Sequence, residues 1–385
     1  MLGDRVTTIL RRCGLVLIAL GFLAGAFVLF SGDARWAMVK HERTQDKRWP
    51  LGVLGDSDSH SFQDRATFPL GSGVRGGEHA DVTWQWVDAL QRLRGDQIDQ
   101  GPWGDWGSRS VQFSHLQDKL GLWNRRIRKQ DFLFNLARSG AVCADLERGP
   151  LQQVKPLLVQ MDRDPQRWER GLVVIRIGIN DLGTEAFLER LVQQDTSALG
   201  KIDACVADIG AAVQTIRAKH PQTRFVLVGI FNNAHWVNLL SKWHDAAALA
   251  RIDAGMDRFD AGLRRLSQQV GGAVFFDDRA WFTSRWGGRD AAGVPAYRTL
   301  VVRPGLAVTN TKGDTWNHCS LADGHNGSVW NALWAQSLIE LVRTELQMPV
   351  TSITHDEVQS LFASGAGGVP PASAVSASKP LTSTH

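Results

Sequence analysis

The sequence predicts an α/β domain built on a mostly parallel sheet. Short apolar, β-branched runs recur along the chain, and longer amphipathic stretches separate them. Several of the short runs break off at a glycine or a polar turn. Strands that alternate with helices need crossover connections, and those give a parallel sheet covered on both faces.

Each element follows from its pattern. Leu51–Leu54 is an apolar run ending at Gly55, suited to a buried strand. His79–Arg94 places Val82, Trp86, Leu90 and Leu93 at helical spacing. Residues 101–110, GPWGDWGSRS, read as a glycine-rich loop. Asp131–Leu136 is expected to be the second strand, Leu151–Met161 a helix, and Leu172–Ile177 the third strand. Ile202–His220 is amphipathic, and Arg224–Ile230 follows it as a fourth strand. Leu239–Val270 is mostly helical, in more than one piece. Ala273–Phe276 makes a fifth strand and Ser328–Leu346 the last strong helix. From Ser364 the tail is rich in Gly, Ala, Ser and Pro and is expected to be disordered, because it cannot bury enough apolar surface to fold. No internal repeat is visible.

Composition narrows the class. Hydrophobic residues make up 43% and charged residues 21%, an ordinary globular balance that excludes collagen-like, disulfide-scaffold and strongly disordered chains. Basic and acidic residues are interspersed with a net charge of only +4, so nothing argues for nucleic acid. The cysteines at 13, 143, 205 and 319 show no CxxC pair and no zinc-finger spacing.

The N-terminus bears on the compartment. Residues 13–30 carry no charge and are just long enough to span a bilayer as a helix. Arg5, Arg11 and Arg12 precede them, which places residues 1–12 in the cytoplasm and the rest of the chain outside. A cleaved signal peptide is the rival reading, but its apolar stretch is usually shorter and no clean small-x-small site follows Phe30. Either way the main domain lies outside the cytoplasm, where a disulfide is permitted. Cys143, Cys205 and Cys319 are the candidates, so at least one stays unpaired within the chain. Residues 31–49 read as a linker and 349–385 as a C-terminal extension.

In a parallel sheet the reacting groups collect at the C-terminal ends of strands. Four segments qualify: Gly55-Asp56-Ser57 after strand one, Asn135 to Ala141 after strand two, Gly178-Ile179-Asn180-Asp181 after strand three, and Asp323-Gly324-His325 before the last helix. Taken singly, each is an ordinary turn, where Asn, Asp and Gly are favoured anyway. Their joint occurrence in this order is far more specific.

This set resembles the SGNH (GDSL-type) hydrolase family. Gly55-Asp56-Ser57 matches the family's first block and Gly140 the glycine of its second. Gly178, Asn180 and Asp181 match its GxND block, and Asp323 with His325 the closing pair. The resemblance implies a three-layer α/β/α, flavodoxin-like domain over residues 50–348 and ester hydrolysis through an acyl-enzyme, without metal or organic cofactor. Ser57 is then the nucleophile, His325 the base and Asp323 its partner. The oxyanion donors implied are the Ser57 and Gly140 backbone N–H groups and the Asn180 amide. Asp56 and Asp181 would hold the block loops. Glycine suits position 140 because a side chain would block the substrate oxygen.

One departure stands out: the family spaces its final pair as DxxH and this chain has DxH. An upstream pair, Asp314 and His318, is the alternative. Asp314, His318, Asp323 and His325 together are also the competing metal reading.

For the substrate, Trp103 and Trp106 in the glycine-rich loop, with Trp84, Trp86 and Trp123 around it, suggest a platform for sugar rings. The plainer reading makes them core, as expected for Trp330 and Trp334. Relatives of the family deacetylate carbohydrates or act as lipases, thioesterases or arylesterases. The expected partner is therefore an ester-bearing small molecule or an acetylated polysaccharide. An O-acyltransferase would use the same residues, and a non-catalytic binding domain would keep only the fold.

Overall fold

In a computed structural model, the described residues are Gly21, 46–107, 128–149 and 151–363. The apolar segment at 13–30 (Gly21 aside), Trp123 and the tail from 364 lie outside them. Among the described residues no helix is long and apolar enough to cross a membrane.

Five parallel strands form the central sheet. They are β1 (Trp49–Gly55), β2 (Ile98–Asp99), β3 (Leu172–Arg176), β4 (Arg224–Val228) and β5 (Ala273–Phe276), in the order β2-β1-β3-β4-β5. Side chains alternate across the sheet. Leu51, Val53, Leu172, Val174, Val226 and Val228 face one core, and Leu54, Val173, Ile175, Phe225 and Leu227 face the other. Both faces are covered, which is why these strands read as continuous apolar runs. One face packs against α1 (Trp86–Arg94) and α5 (Ser328–Glu345). The other packs against α2 (Val154–Met161), α3 (Thr196–Lys219) and α4 (Ala246–Gln269).

The differences from the sequence reading have local causes. The second sheet strand is Ile98–Asp99, two residues too short to show a period. The expected strand at Asp131–Leu136 splits. Lys129–Phe132 pairs antiparallel with Trp103–Trp106, so half of the supposed loop is a strand. Asn135 then bridges Val53, with Val53 N–H donating to Phe134 and Leu136 N–H to Val53, and this extends the edge of β1. α3 begins at Thr196 because Asp195 accepts the Ser197 N–H, and α4 is one helix beginning at Ala246 because Asp245 accepts the Ala248 N–H. A three-stranded sheet, Leu300–Arg303, Leu306–Lys312 and His318–Ser320, was not foreseen. Beyond residue 348 the chain continues onto the core, where Val350, Ile353, Val358 and Phe362 are buried.

Most tryptophans are structural. Trp84, Trp86, Trp330 and Trp334 are buried. Trp330 stacks on Trp286 at 5.3 Å and meets Trp281, Phe282, Phe231 and Trp236. Trp106 is also buried and gives its indole N–H to the Asp131 carbonyl. Trp103 is exposed, with its ring edge-on to Phe132.

Candidate active site

The register of the sheet assembles the site. Gly55 at the end of β1 lies opposite Arg176 at the end of β3, so the segments that follow them emerge side by side. A Cβ on Gly55 would stand 2.3 Å from the Arg176 carbonyl oxygen, an approach open only to glycine. The Gln153 side chain completes the strand end, accepting from Gly55 N–H at 2.7 Å and donating to Gly55 O at 2.8 Å.

Asp56 then joins two blocks. Its carboxylate accepts the Asp58 N–H at 3.0 Å and the Gly178 N–H at 3.2 Å. Full burial, with Asp58 nearby, pushes its pKa up. Asp181 does similar work, accepting the Cys143 N–H at 2.7 Å, and burial raises it too. Cys143 is bonded to Cys205, and both sulfurs lie just beneath Gly178. Among the described residues Cys319 is the free cysteine, and it is buried. Of the metal-ligating side chains among the described residues, Cys143, Asp181 and Cys205 come within reach of one ion, and the disulfide occupies both sulfurs. Asp314, His318, Asp323 and His325 form no such group.

A cavity of about 330 Å³ opens at this sheet edge. Ser57, Asn180 and His325 all line it. Asn180 donates one amide N–H to the Ala141 carbonyl at 2.9 Å, which leaves its second N–H. Neither the Ser57 nor the Gly140 backbone N–H has a partner among the described residues. Gly140 has φ +81°, and a Cβ there would meet nothing within 4 Å. Backbone conformation by itself calls for glycine there.

His325 Nδ1 lies 3.1 Å from Asp323 Oδ1, which also accepts the His325 backbone N–H at 3.1 Å. Burial works to raise the Asp323 pKa. The hydrogen bond from His325 and the charge of Arg75 hold it well below the usual carboxylate range. Ser57 Oγ and the imidazole share the cavity without a hydrogen bond between them, a contact that commonly tightens only when substrate binds. The alternative pair is not gathered here. His318 Nδ1 bonds the Thr311 hydroxyl at 2.7 Å, Asp314 accepts the Ala322 N–H at 2.9 Å, and neither lines the cavity. Trp103 and Trp106 do not line it either.

The GDSL-like Lipase/Acylhydrolase family model matches residues 95–298, just over half of the 385 residues. The chain belongs to that family. This GDSL-like acylhydrolase is therefore an ester-bond hydrolase. The matched stretch contains Gly140 and the Gly178–Asp181 block, and it leaves Ser57, Asp323 and His325 outside. No curated protein matches the chain. Among solved structures, it is similar to an extracellular lipase from Streptomyces rimosus, with 19% identity, 64% of this chain and 86% of that one covered, and a TM-score of 0.30. It is also similar to phospholipase A1 from Streptomyces albidoflavus NA297, with 16% identity, coverage of 62% and 83%, and a TM-score of 0.32.

Two neighbours of the site had no sequence signal. One is Arg75, beside Asp323. The other is His60, fully buried, whose Nδ1 accepts the Ser139 N–H at 3.2 Å. That bond leaves Nε2–H to donate to Asp64 Oδ2 at 2.8 Å. Burial, with Lys129 and Arg138 close by, pushes the imidazole pKa well down. The unfolded chain takes up a proton there near the usual histidine value of about 6.5, and the native state does not. Stability is therefore complete above that pH and declines as pH falls below it, by at most about 1.4 kcal/mol per pH unit. Thermal melts from pH 8 to 5 should show this slope, and His60→Gln should flatten it. An equal slope in both proteins would assign the acid sensitivity elsewhere.

Proposed function

We propose that this acylhydrolase cleaves O-linked esters through an acyl-enzyme on Ser57, with His325 as base and Asp323 as its partner. The observation that carries the reading is that Ser57, Asn180 and His325, far apart in sequence, face one cavity at the sheet's C-terminal edge. Ser57 Oγ attacks the carbonyl carbon while its proton passes to His325 Nε2. Asp323 Oδ1 accepts a hydrogen bond from Nδ1–H and, staying ionised, balances the imidazolium. The oxyanion receives the unpartnered Ser57 and Gly140 N–H groups and the free Asn180 N–H. His325 returns its proton to the departing alcohol, and water then repeats the sequence on the acyl-serine.

The substrate we assign is a short acyl ester, an O-acetyl group, on a hydroxylated alcohol such as a carbohydrate. Asn180, Asn233, Asn238, Asn326 and Thr184 give the cavity a polar side, and Ile179, Phe231, Trp236 and Leu239 add to its larger apolar area, enough for a short acyl group. Amides suit hydroxyl groups, and a long aliphatic chain would leave them unpaired. We place the domain outside the cytoplasm, tethered by residues 13–30, and the Cys143–Cys205 disulfide supports that compartment.

The test is a p-nitrophenyl ester series, acetate to octanoate, on the full chain in detergent, with fluorophosphonate labelling alongside. Acetate should be cleaved fastest, and the label should map to Ser57 and vanish in Ser57→Ala. Octanoate cleaved fastest would overturn the substrate class, and a label on another serine would overturn the nucleophile.

A further inference from the structure

The strongest unexplained feature is a buried arginine beside the catalytic pair. We infer that Arg75 is a positioning residue for ester hydrolysis, anchoring Asp323 and through it His325. The inference rests on the reading above only in taking Ser57 and His325 as the reacting groups.

Arg75 sits in the glycine-rich stretch 69–77 with φ +53°, a left-handed conformation that is unfavourable for a non-glycine residue. Strain of this kind persists where the surroundings over-determine it. Here it turns both the backbone and the side chain of Arg75 onto one carboxylate oxygen. The Arg75 N–H donates to Asp323 Oδ2 at 2.9 Å and Nη1 to the same atom at 2.5 Å. With Oδ1 already accepting from His325, the carboxylate is held from both sides.

The arginine is itself fixed. It is 5% exposed, with its guanidinium 4.4 Å from the Phe68 ring centroid and 5.3 Å from that of Phe62. Phe62 in turn meets the His325 ring edge-on. Nη2 donates to Ser139 Oγ at 3.3 Å, and Ser139 leads through His60 to Asp64. The Ser139–His60–Asp64 chain has the composition of a second triad. Its imidazole is sealed in and held neutral, so it is a poor base and serves instead to orient Ser139 under Arg75.

The short DxH spacing explains the need. Asp323 folds back to cap the N–H of His325, two residues on, and among the described residues nothing further along the chain steadies its outer oxygen. Arg75 supplies that hold. It also lies 2.7 Å from His325 Nδ1, which donates to Asp323 as N–H or accepts from Arg75 as a lone pair, one at a time. Removing Arg75 must therefore be felt at the ring.

The test uses Arg75→Ala and Arg75→Lys in the full chain. For Arg75→Ala we expect kcat on the best p-nitrophenyl ester to fall about 10²-fold with KM unchanged, the scale of a misplaced catalytic group. Millimolar guanidinium should restore most of that loss in Arg75→Ala and none in His325→Ala, and Arg75→Lys should fall between. An unchanged or raised kcat in Arg75→Ala would overturn the inference. So would a loss that guanidinium does not rescue and that tracks a lowered melting temperature. The nitrogen-15 spectrum of the His325 ring, recorded without substrate, separates this from the hydrolase reading. If no ester is turned over, that reading fails. A moved Nδ1 resonance in Arg75→Ala would then still uphold Arg75 as the anchor of Asp323 and His325, and an unmoved one would sink that too.

Discussion

His325→Ala should lower kcat on the best p-nitrophenyl ester on the order of 10⁶-fold, while His318→Ala leaves it unchanged. The magnitude is that of removing the base from a serine hydrolase, where nucleophile and base act as one unit and either loss is nearly total. The contrast follows from placement. His325 shares the cavity with Ser57 and is backed by Asp323 at 3.1 Å. His318 lies on the short strand His318–Ser320, and its ring is engaged with Thr311. Steady-state rates of the two variants, with melting curves to show that both are folded, decide the matter. A drop with His318→Ala and survival of His325→Ala would move the base to the upstream pair.

That contrast also shows what the sequence made legible. Gly55-Asp56-Ser57 and Gly178–Asp181 stand at the ends of β1 and β3, whose apolar runs are unmistakable because both sheet faces are buried. Strand position then did the rest, since parallel strands in register deliver both turns to one edge. Other parts carry no comparable local signal. β2 is two residues long and is recognisable only by its pairing with Trp49 and Pro50. For Trp106 a sugar platform and a core position were both open from its glycine-rich stretch, and pairing of its strand with Lys129–Phe132 makes it core. Arg75 was hardest to see. Its stretch has the composition of a surface loop, and its partner is Asp323, which only the folded chain brings near. Contacts of this kind are set by tertiary packing and leave no periodicity to find.

Loss of the Cys143–Cys205 bond is expected to reduce stability far more than activity. The bond closes a loop of sequence separation 62. In the chain-entropy model, freeing such a loop in the unfolded state costs the native state about 4 kcal/mol. For a domain of this size that corresponds to a melting temperature lower by roughly 5–10 °C. Catalysis should suffer less, because hydrogen bonds hold the same loop. Cys143 N–H is bound by Asp181, and Asn180 is tied to the Ala141 carbonyl. The Gly140 turn and the Asn180 amide thus keep their relation without the sulfurs. Cys143→Ser/Cys205→Ser should therefore melt early yet retain kcat within a few-fold at low temperature. Scanning calorimetry and rates at 20 °C, with intact mass before and after reduction, measure both halves. An unchanged melting temperature, with all four cysteines of the native protein found as free thiols rather than two, would remove the disulfide. It would take with it one of the two supports for a domain outside the cytoplasm. Early melting with kcat also lost would mean that the disulfide, rather than Asp181 and Asn180, holds the oxyanion loop in place.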